Sequence, residues 1–406
     1  MKAPSVNKKA LELPYDIIYL PLGAAAFGGA ERSILELAAA QQALGRRVLV
    51  CYPAALASTD FPARAAQMAV PIHQTTWEPE QGLLAVLKEA WRFFRHCNAD
   101  VVHFNISWRR HMWCLPLVAR LASTAKLVGT MRAMPEAFAD LPHKKYLGVI
   151  PGPRVWAWSD YVFGRVWARC LHAAVSVNRD DYPPQMVRSF GFNRRRLSVI
   201  YNGVEVPERL PSAAERSSAR LALGLDPALF HVGYVGRVSP EKGITFLLDA
   251  MAEIGNGCSL VVAGDGAEMD AMKQRIDEHG LGGSVRFLGY VSKPAAVFEA
   301  VDVLVVPSLW NEAFGRVVVE AMARGAVVVA TSVGGMQEIF VHRQEGLQVP
   351  RANSSAIAAS IRELMADKKL REGLSAAGFE CARQKFSIAR VCEQYGALYA
   401  RLVAAG

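Results

Sequence analysis

Short apolar runs rich in valine, isoleucine and leucine alternate along this chain with longer segments whose apolar positions recur every three or four residues. That alternation predicts strands and helices in turn. The run "YDIIYLPLG" (15–23) reads as a buried strand ending in a loop, and "AERSILELAAAQQALG" (30–45) as an amphipathic helix stopped by Gly45. Strand "RRVLVCYP" (46–53), helix "PEQGLLAVLKEAWRFFRHC" (79–97) and strand "ADVVHFN" (99–105) follow, and "AKLVGTMR" (125–132) and "CLHAAVSVNRD" (170–180) continue the series. Strand-then-helix repetition means parallel strands joined by crossover helices, a doubly wound α/β sheet.

The stretch 194–225 breaks this rhythm with prolines, serines and charge, which places a linker near residues 205–215. The alternation then restarts, with strands at 229–237, 258–266, 284–291 and 302–308 separated by helices at 243–254, 267–281 and 293–301. A loop, a helix ending at the stop signal Gly325 and a strand over 327–335 complete the run. Two Rossmann-like domains are expected, residues 1–208 and 209–384, with a last helix over 385–406 crossing back to the first. Ligand crevices in open parallel sheets lie beyond the carboxyl ends of the strands. Two such domains facing each other would enclose a cleft.

Composition narrows the function. A chain of 406 residues exceeds one ordinary core. Its 52% hydrophobic content with dispersed Gly and Pro is that of a packed globular protein, with disorder expected only in the first dozen residues. Seven widely spaced cysteines without a CxxC pair give neither a disulfide framework nor a zinc site. No stretch approaches the roughly 18 apolar residues of a membrane span, so a reducing, cytoplasmic location is expected. The net charge of +9 lies in the front half, where residues 1–210 carry 26 Lys+Arg against 16 Asp+Glu, while the remainder carries 20 against 21. There the basic residues interleave with aromatics in "WRFFRHC" (91–97), "SWRRHMWC" (107–114) and the stretch 143–170. Such a surface suits an anionic membrane face, at about 1 kcal/mol for each basic residue near it. The competing reading is amphipathic helices that bury Trp and Phe and leave the arginines in water. Nucleic acid is not expected, because no binding motif accompanies the charge.

Two places carry candidate chemistry in the rear half. In "GRVSPEKG" (236–243) a strand delivers Gly236, and Arg237 and Lys242 follow in a short loop before a helix N-terminus, an arrangement suited to a phosphate or diphosphate. In "NEAFGRVVVEAMARG" (311–325) Glu312 stands at a strand's carboxyl end and Glu320 within the following helix, with Gly315 between them. If all eight steps were helical the two would be about 12 Å apart at the backbone, wider than the roughly 5–9.5 Å of glycosidase carboxyl pairs. One carboxylate for a sugar ring and one for a ribose fits better than a hydrolase pair. In the front half "FGGAER" (27–32) places Gly28 and Gly29 between strand and helix, able to admit a diphosphate or sugar. Neither it nor "GDGAEM" (264–269) has the GxGxxG spacing of a dinucleotide fingerprint.

Taken in order and at these intervals, "GGAER", "YNGVE", "GRVSPEKG", "VVAGDG", "FLGYV" and "NEAFGRVVVEAMARG" resemble glycosyltransferase family 4, retaining enzymes of the GT-B fold, over about residues 15–400. The resemblance implies that Gly28, Gly29, Gly236 and Gly266 lie near the donor phosphates and that Arg237 and Lys242 hold the diphosphate. It implies further that Glu312 grips sugar hydroxyls among the backbone N–H groups of Ala313, Phe314 and Gly315. Glu320 would bind the ribose, and Val291 would meet the base through its backbone. No Asp-x-Asp pair is present, so no metal or other cofactor is expected, and the leaving-group charge falls to Arg237, Lys242 and helix dipoles. Many relatives carry a His after the fourth front-domain strand. Here "GTMRAMPE" offers Arg132, which cannot act as a base near neutral pH and suits an acceptor phosphate or the donor diphosphate. His103 and His111 read as structural, and Glu205 stands where relatives often have Asp.

The expected activity is transfer of a sugar from a UDP- or GDP-sugar to an acceptor hydroxyl with retention, which the family's favoured picture achieves by front-face attack. The acceptor is expected to be lipid-linked or a saccharide, in lipopolysaccharide, exopolysaccharide or glycolipid synthesis, at the inner membrane face. A GT-B nucleotide-sugar epimerase and a nonenzymatic GT-B partner subunit are the alternatives, and an oxidoreductase is disfavoured by the missing fingerprint.

Overall fold

The computed structural model describes residues 13–22, 27–77, 82–106, 114–132, 145–146 and 150–405. The chain divides into two compact units, Met1–Gly203 with Ile388–Gly406, and Val204–Ser387. The expected disorder of the first dozen residues, and His111, lie outside the described residues.

The first unit runs β1 (Tyr15–Leu22), α1 (Gly29–Ala43), β2 (Val48–Tyr52), α2 (Phe61–Gln67), β3 (Ile72–Gln74), α3 (Leu83–His96), β4 (Ala99–Ile106), α4 (Leu115–Ala122) and β5 (Lys126–Met131). After a short antiparallel pair, Lys145–Tyr146 with Ile150–Pro151, come α5 (Gly152–Cys170), β6 (Ala173–Ser176), α6 (Tyr182–Phe190) and β7 (Leu197–Val199). Among the described residues the strands form one seven-stranded sheet, ordered β3-β2-β1-β4-β5-β6-β7 with every neighbour parallel. Central β1 is apolar and buried from Ile17 to Leu22, as a strand covered on both faces must be.

The second unit repeats the scheme. It runs α7 (Ala213–Ala222), β8 (Phe230–Val235), α8 (Ile244–Ile254), β9 (Cys258–Ala263), α9 (Met269–Glu278), β10 (Val285–Gly289), α10 (Ala295–Ala300) and β11 (Val303–Val306). Then follow α11 (Arg316–Ala323), β12 (Val327–Thr331), β13 (Leu347–Val349), α12 (Ser354–Ala366) and α13 (Lys368–Phe386). Its six parallel strands are ordered β10-β9-β8-β11-β12-β13. Helix α7 begins inside the stretch that composition reads as linker. Its capping box explains this: Ser212 N donates to Glu215 Oε2 at 2.8 Å, and Glu215 N donates to Ser212 Oγ at 3.3 Å.

The last helix, α14 (Ile388–Ala404), packs on α1 and belongs to the first unit. It buries Val391, Cys392, Tyr395, Leu398 and Tyr399, one helical face by their spacing. Beneath it lies a buried polar chain. His103 Nδ1 meets the Tyr399 hydroxyl at 2.6 Å, His103 Nε2 meets Thr130 Oγ1 at 2.7 Å, and Thr130 Oγ1 meets the Tyr395 hydroxyl at 2.9 Å. Burial, and after it the charge of Arg132, hold the His103 imidazole well below its ordinary range. Burial brings His172 down to about 4 in the same way. Unfolded histidines titrate near 6.5, so below that pH the unfolded chain binds protons that the folded one refuses. Stability is therefore complete above about pH 6.5 and falls as the pH drops, by up to about 1.4 kcal/mol per pH unit for each such group. Melting temperatures taken from about pH 8 down to about pH 5 should decline through this window. His103→Gln should melt lower at the top of the range and decline less steeply below it. No described helix is long and apolar enough to cross a membrane.

Candidate functional site

In a parallel sheet every strand hands the chain to a loop at the same edge, and in the second unit the loops after β8, β9, β11 and β12 meet there. The loop after β8 is fastened to its neighbour by backbone. Gly236 N donates to Ala263 O at 3.0 Å, Val238 N to Asp265 O at 2.9 Å, and Glu268 N to Val238 O at 3.1 Å. The apposition is so close that a Cβ on Gly264 would stand 1.9 Å from Gly236 O, and one on Gly266 2.1 Å from Val238 O. That is why "GDG" must be glycine at both ends. Beneath, the buried Tyr234 hydroxyl donates to Arg237 O at 2.6 Å, and burial pushes that phenol upward so that it stays a donor. The Arg237 side chain is 72% exposed, with Glu241 at 3.8 Å. It is free to swing onto a ligand at this edge.

Lys242, five residues on, is held differently. Its ammonium donates to Glu312 Oε1, which also accepts from Ser308 Oγ at 2.8 Å. It lies 5.5 Å from the Trp310 ring centre. Both partners of the Lys242–Glu312 pair are largely covered. Thr331 Oγ1 donates to Ser308 O at 2.8 Å, and Gly335 N donates to Glu312 O at 2.7 Å, so β12 and its following loop hold the Glu312 segment from behind. Glu312 is thus the acceptor around which Lys242 and Ser308 are gathered.

Glu320 lies on the helix that follows, α11. Gly315, at φ 88°, caps α11, so the helix begins at Arg316 and only the last four of the eight steps from Glu312 to Glu320 are helical. The all-helical separation of the sequence reading therefore does not apply. Glu320 accepts from Arg316 Nε at 2.7 Å, an i,i+4 pair with both side chains only about a tenth exposed. Phe314 turns its ring into the core against Phe386, with centroids 5.6 Å apart. Ala313 and Val291 are half-buried, and Tyr290 before Val291 is 62% exposed.

The structure thus brings Gly236, Arg237, Lys242, Gly266, Glu312, Ala313 and Gly315 to one sheet edge, beside the N-termini of α8 and α11. An anionic group placed there would meet a mobile guanidinium, a fixed ammonium and two helix dipoles. Tyr234, Ser308, Trp310, Gly264 and Thr331 belong to the same edge and escaped the sequence reading. Only their positions at strand ends could have signalled them.

Gly28, Gly29 and Arg132 belong to the other unit. Gly28 precedes α1, and its N–H donates to Glu31 Oε2 at 3.0 Å. Arg132 follows β5 and is 9% exposed, its Nε donating to Asn105 Oδ1 at 3.0 Å. Among the described residues, Asn105 Nδ2 is buried without a partner. A recess beside Arg132 is lined by Ser33, Asn202 and Tyr395 among others.

Two family models match the chain, Glycosyltransferase Family 4 over residues 27–207 and Glycosyl transferases group 1 over residues 218–380. Among curated relatives, the D-inositol 3-phosphate glycosyltransferase of Mycobacterium marinum is 32% identical over 251 residues, 58% of this chain and 49% of the relative. The lipopolysaccharide core biosynthesis glycosyltransferase LpsD of Rhizobium meliloti is 33% identical over 218 residues, 54% of this chain and 61% of the relative. The chain spans about half the length of the first of these. Among solved structures, Anabaena Alr3699/HepE in complex with UDP superposes with a TM-score of 0.79 at 22% identity, covering 95% of this chain and all of that one. The same protein has been solved with UDP-glucose. With both family models matched in sequence order and two parallel-sheet units of the kind that GT-B structures contain, the chain belongs to the family 4 type of glycosyltransferases.

Proposed function

We propose that this protein transfers a sugar from a UDP- or GDP-sugar to an acceptor hydroxyl with retention at the anomeric carbon, without a metal ion. The observation that carries the reading is the Lys242–Glu312 pair at the carboxyl edge of the second sheet, with Arg237 exposed beside it. A diphosphate would draw Lys242 and Arg237 together. Glu312 would exchange part of its bond to Lys242 for a sugar hydroxyl, and Glu320 would take the ribose. As the sugar–phosphate bond breaks, negative charge grows on the leaving phosphate, and fixed cations there lower the barrier without reorganisation. The ligands of the Anabaena neighbour, UDP and UDP-glucose, support a nucleotide-sugar donor.

The acceptor is proposed to be a lipid-linked or saccharide molecule in glycolipid or surface-polysaccharide synthesis, reached at the inner membrane face. The lipopolysaccharide-core relative supports this class. The relatives named for D-inositol 3-phosphate support Arg132 as a contact for an acceptor phosphate. A thermal-shift panel of UDP-, GDP- and ADP-sugars tests the donor, with Glu320→Ala expected to lose the shift. Product should form only when acceptor is present, and a chelator should leave the rate within about twofold. Conversion of donor without acceptor would instead identify an epimerase, and a chelator-sensitive rate would refute the metal-free reading.

A further inference from the structure

Of the three basic, aromatic stretches in the front half, only "WRFFRHC" is described in full, and the structure splits it. Phe93 and Phe94 are core residues, while Trp91 stands outside at 40% exposure. Trp91 is not alone. On α3 the exposed positions Leu84, Lys88, Trp91, Arg92 and Arg95 recur at helical spacing along one outward face. On α4 the exposed positions are Leu117, Arg120 and Leu121. Helix α3 joins β3 to β4 and α4 joins β4 to β5, crossing the sheet in the same direction, so the right-handed rule puts both on one side, where they pack together.

The result is a two-helix surface with Leu84 82% and Leu121 66% exposed among four basic residues. The two helices hold a single carboxylate, Glu89, which is paired with Arg92 at 2.6 Å. Apolar side chains this exposed are a cost in water, and a ring of cations among them disfavours a second copy of the same face by like-charge repulsion. A bilayer satisfies both features. Leucines enter the headgroup boundary, tryptophan sits at its preferred depth, and Lys88, Arg95 and Arg120 meet anionic lipid.

We infer that the outward face of α3 and α4 docks this protein on an anionic bilayer surface, with Leu84, Trp91 and Leu121 as the inserted residues. This rests on the proposed membrane-face acceptor, which it deepens by naming the contact. The test is flotation of the full chain with vesicles of pure phosphatidylcholine and with vesicles of mixed phosphatidylcholine and phosphatidylglycerol. Wild type should float with the mixed vesicles and not with the pure ones. Lys88→Gln with Arg95→Gln should weaken that partition about 25-fold, at roughly fivefold for each basic residue. Leu84→Ser with Leu121→Ser should weaken it about 10-fold or more. Both variants alter exposed positions, so their melting temperatures and donor-induced shifts should match wild type. If wild type floats and both variants float equally well, the assignment of this face is overturned while membrane contact stands. If wild type floats with neither vesicle, membrane contact itself fails. A wild-type dimer that Leu84→Ser with Leu121→Ser turns into a monomer would show a protein interface instead and overturn the inference.

Discussion

Replacing Arg237 and Lys242 together by alanine should lower kcat/KM for sugar transfer by at least about a thousandfold, since a single charge-stabilising group in such a site accounts for about 10²–10³. The two should not contribute alike. Lys242 is fixed by Glu312 and flanked by the Trp310 ring, so its charge is already in place when the donor arrives. Arg237 is exposed and must be collected by the ligand, at a cost in side-chain entropy. Lys242→Ala should therefore be the more damaging single change. It should also lower the melting temperature slightly, because Glu312 is left with Ser308 and no cation. Arg237→Ala should leave stability unchanged. A Lys242→Ala enzyme with wild-type kcat/KM would remove the basis of the mechanism.

Glu312→Ala should separate sugar handling from nucleotide handling. Its carboxylate gathers Lys242 and Ser308 and is the group proposed above to meet the sugar hydroxyls. Losing it should reduce kcat by about 10²–10³-fold, because a contact that aligns the transferring ring acts in the transition state. Affinity for the free nucleoside diphosphate should stay within about threefold, since Lys242 and Arg237 remain. The complementary change, Glu320→Ala, should do the reverse and weaken nucleotide binding first. If Glu312→Ala impaired both equally, the division of labour between the two carboxylates would be wrong. If it impaired neither, while a partner's transferase activity persisted, the nonenzymatic reading would gain.

Much of this was legible because a buried parallel strand leaves an unmistakable trace. "DVLVVPS" and "VVVATS" are apolar on both faces, as central strands must be, and the charged residues that follow them lie by topology at the binding edge. Short edge elements left no such trace. Strands β3 and β13, of three residues each, have too few positions to show a period, and α7 was masked by its own charge. The site's support was hidden for another reason. Thr331 acts through a hydroxyl aimed at the Ser308 carbonyl, 23 residues away, and periodicity carries no information about such a pairing. Tyr234 and Ser308 reach only three and four residues on, to Arg237 O and Glu312, but through single hydroxyls that apolar patterning does not mark. The condition that all eight steps from Glu312 to Glu320 be helical fails because Gly315 caps the helix, and glycine at that point is itself visible in the sequence.

The central claim is that Arg237 and Lys242 read the second phosphate of the donor. Calorimetric titration of the nucleoside diphosphate and the nucleoside monophosphate, for the base that the donor panel selects, tests it most directly. Wild type should bind the diphosphate at least about tenfold more tightly, and Arg237→Ala with Lys242→Ala should bind the two alike. A double variant that keeps the full preference, with its fold intact, would contradict the account.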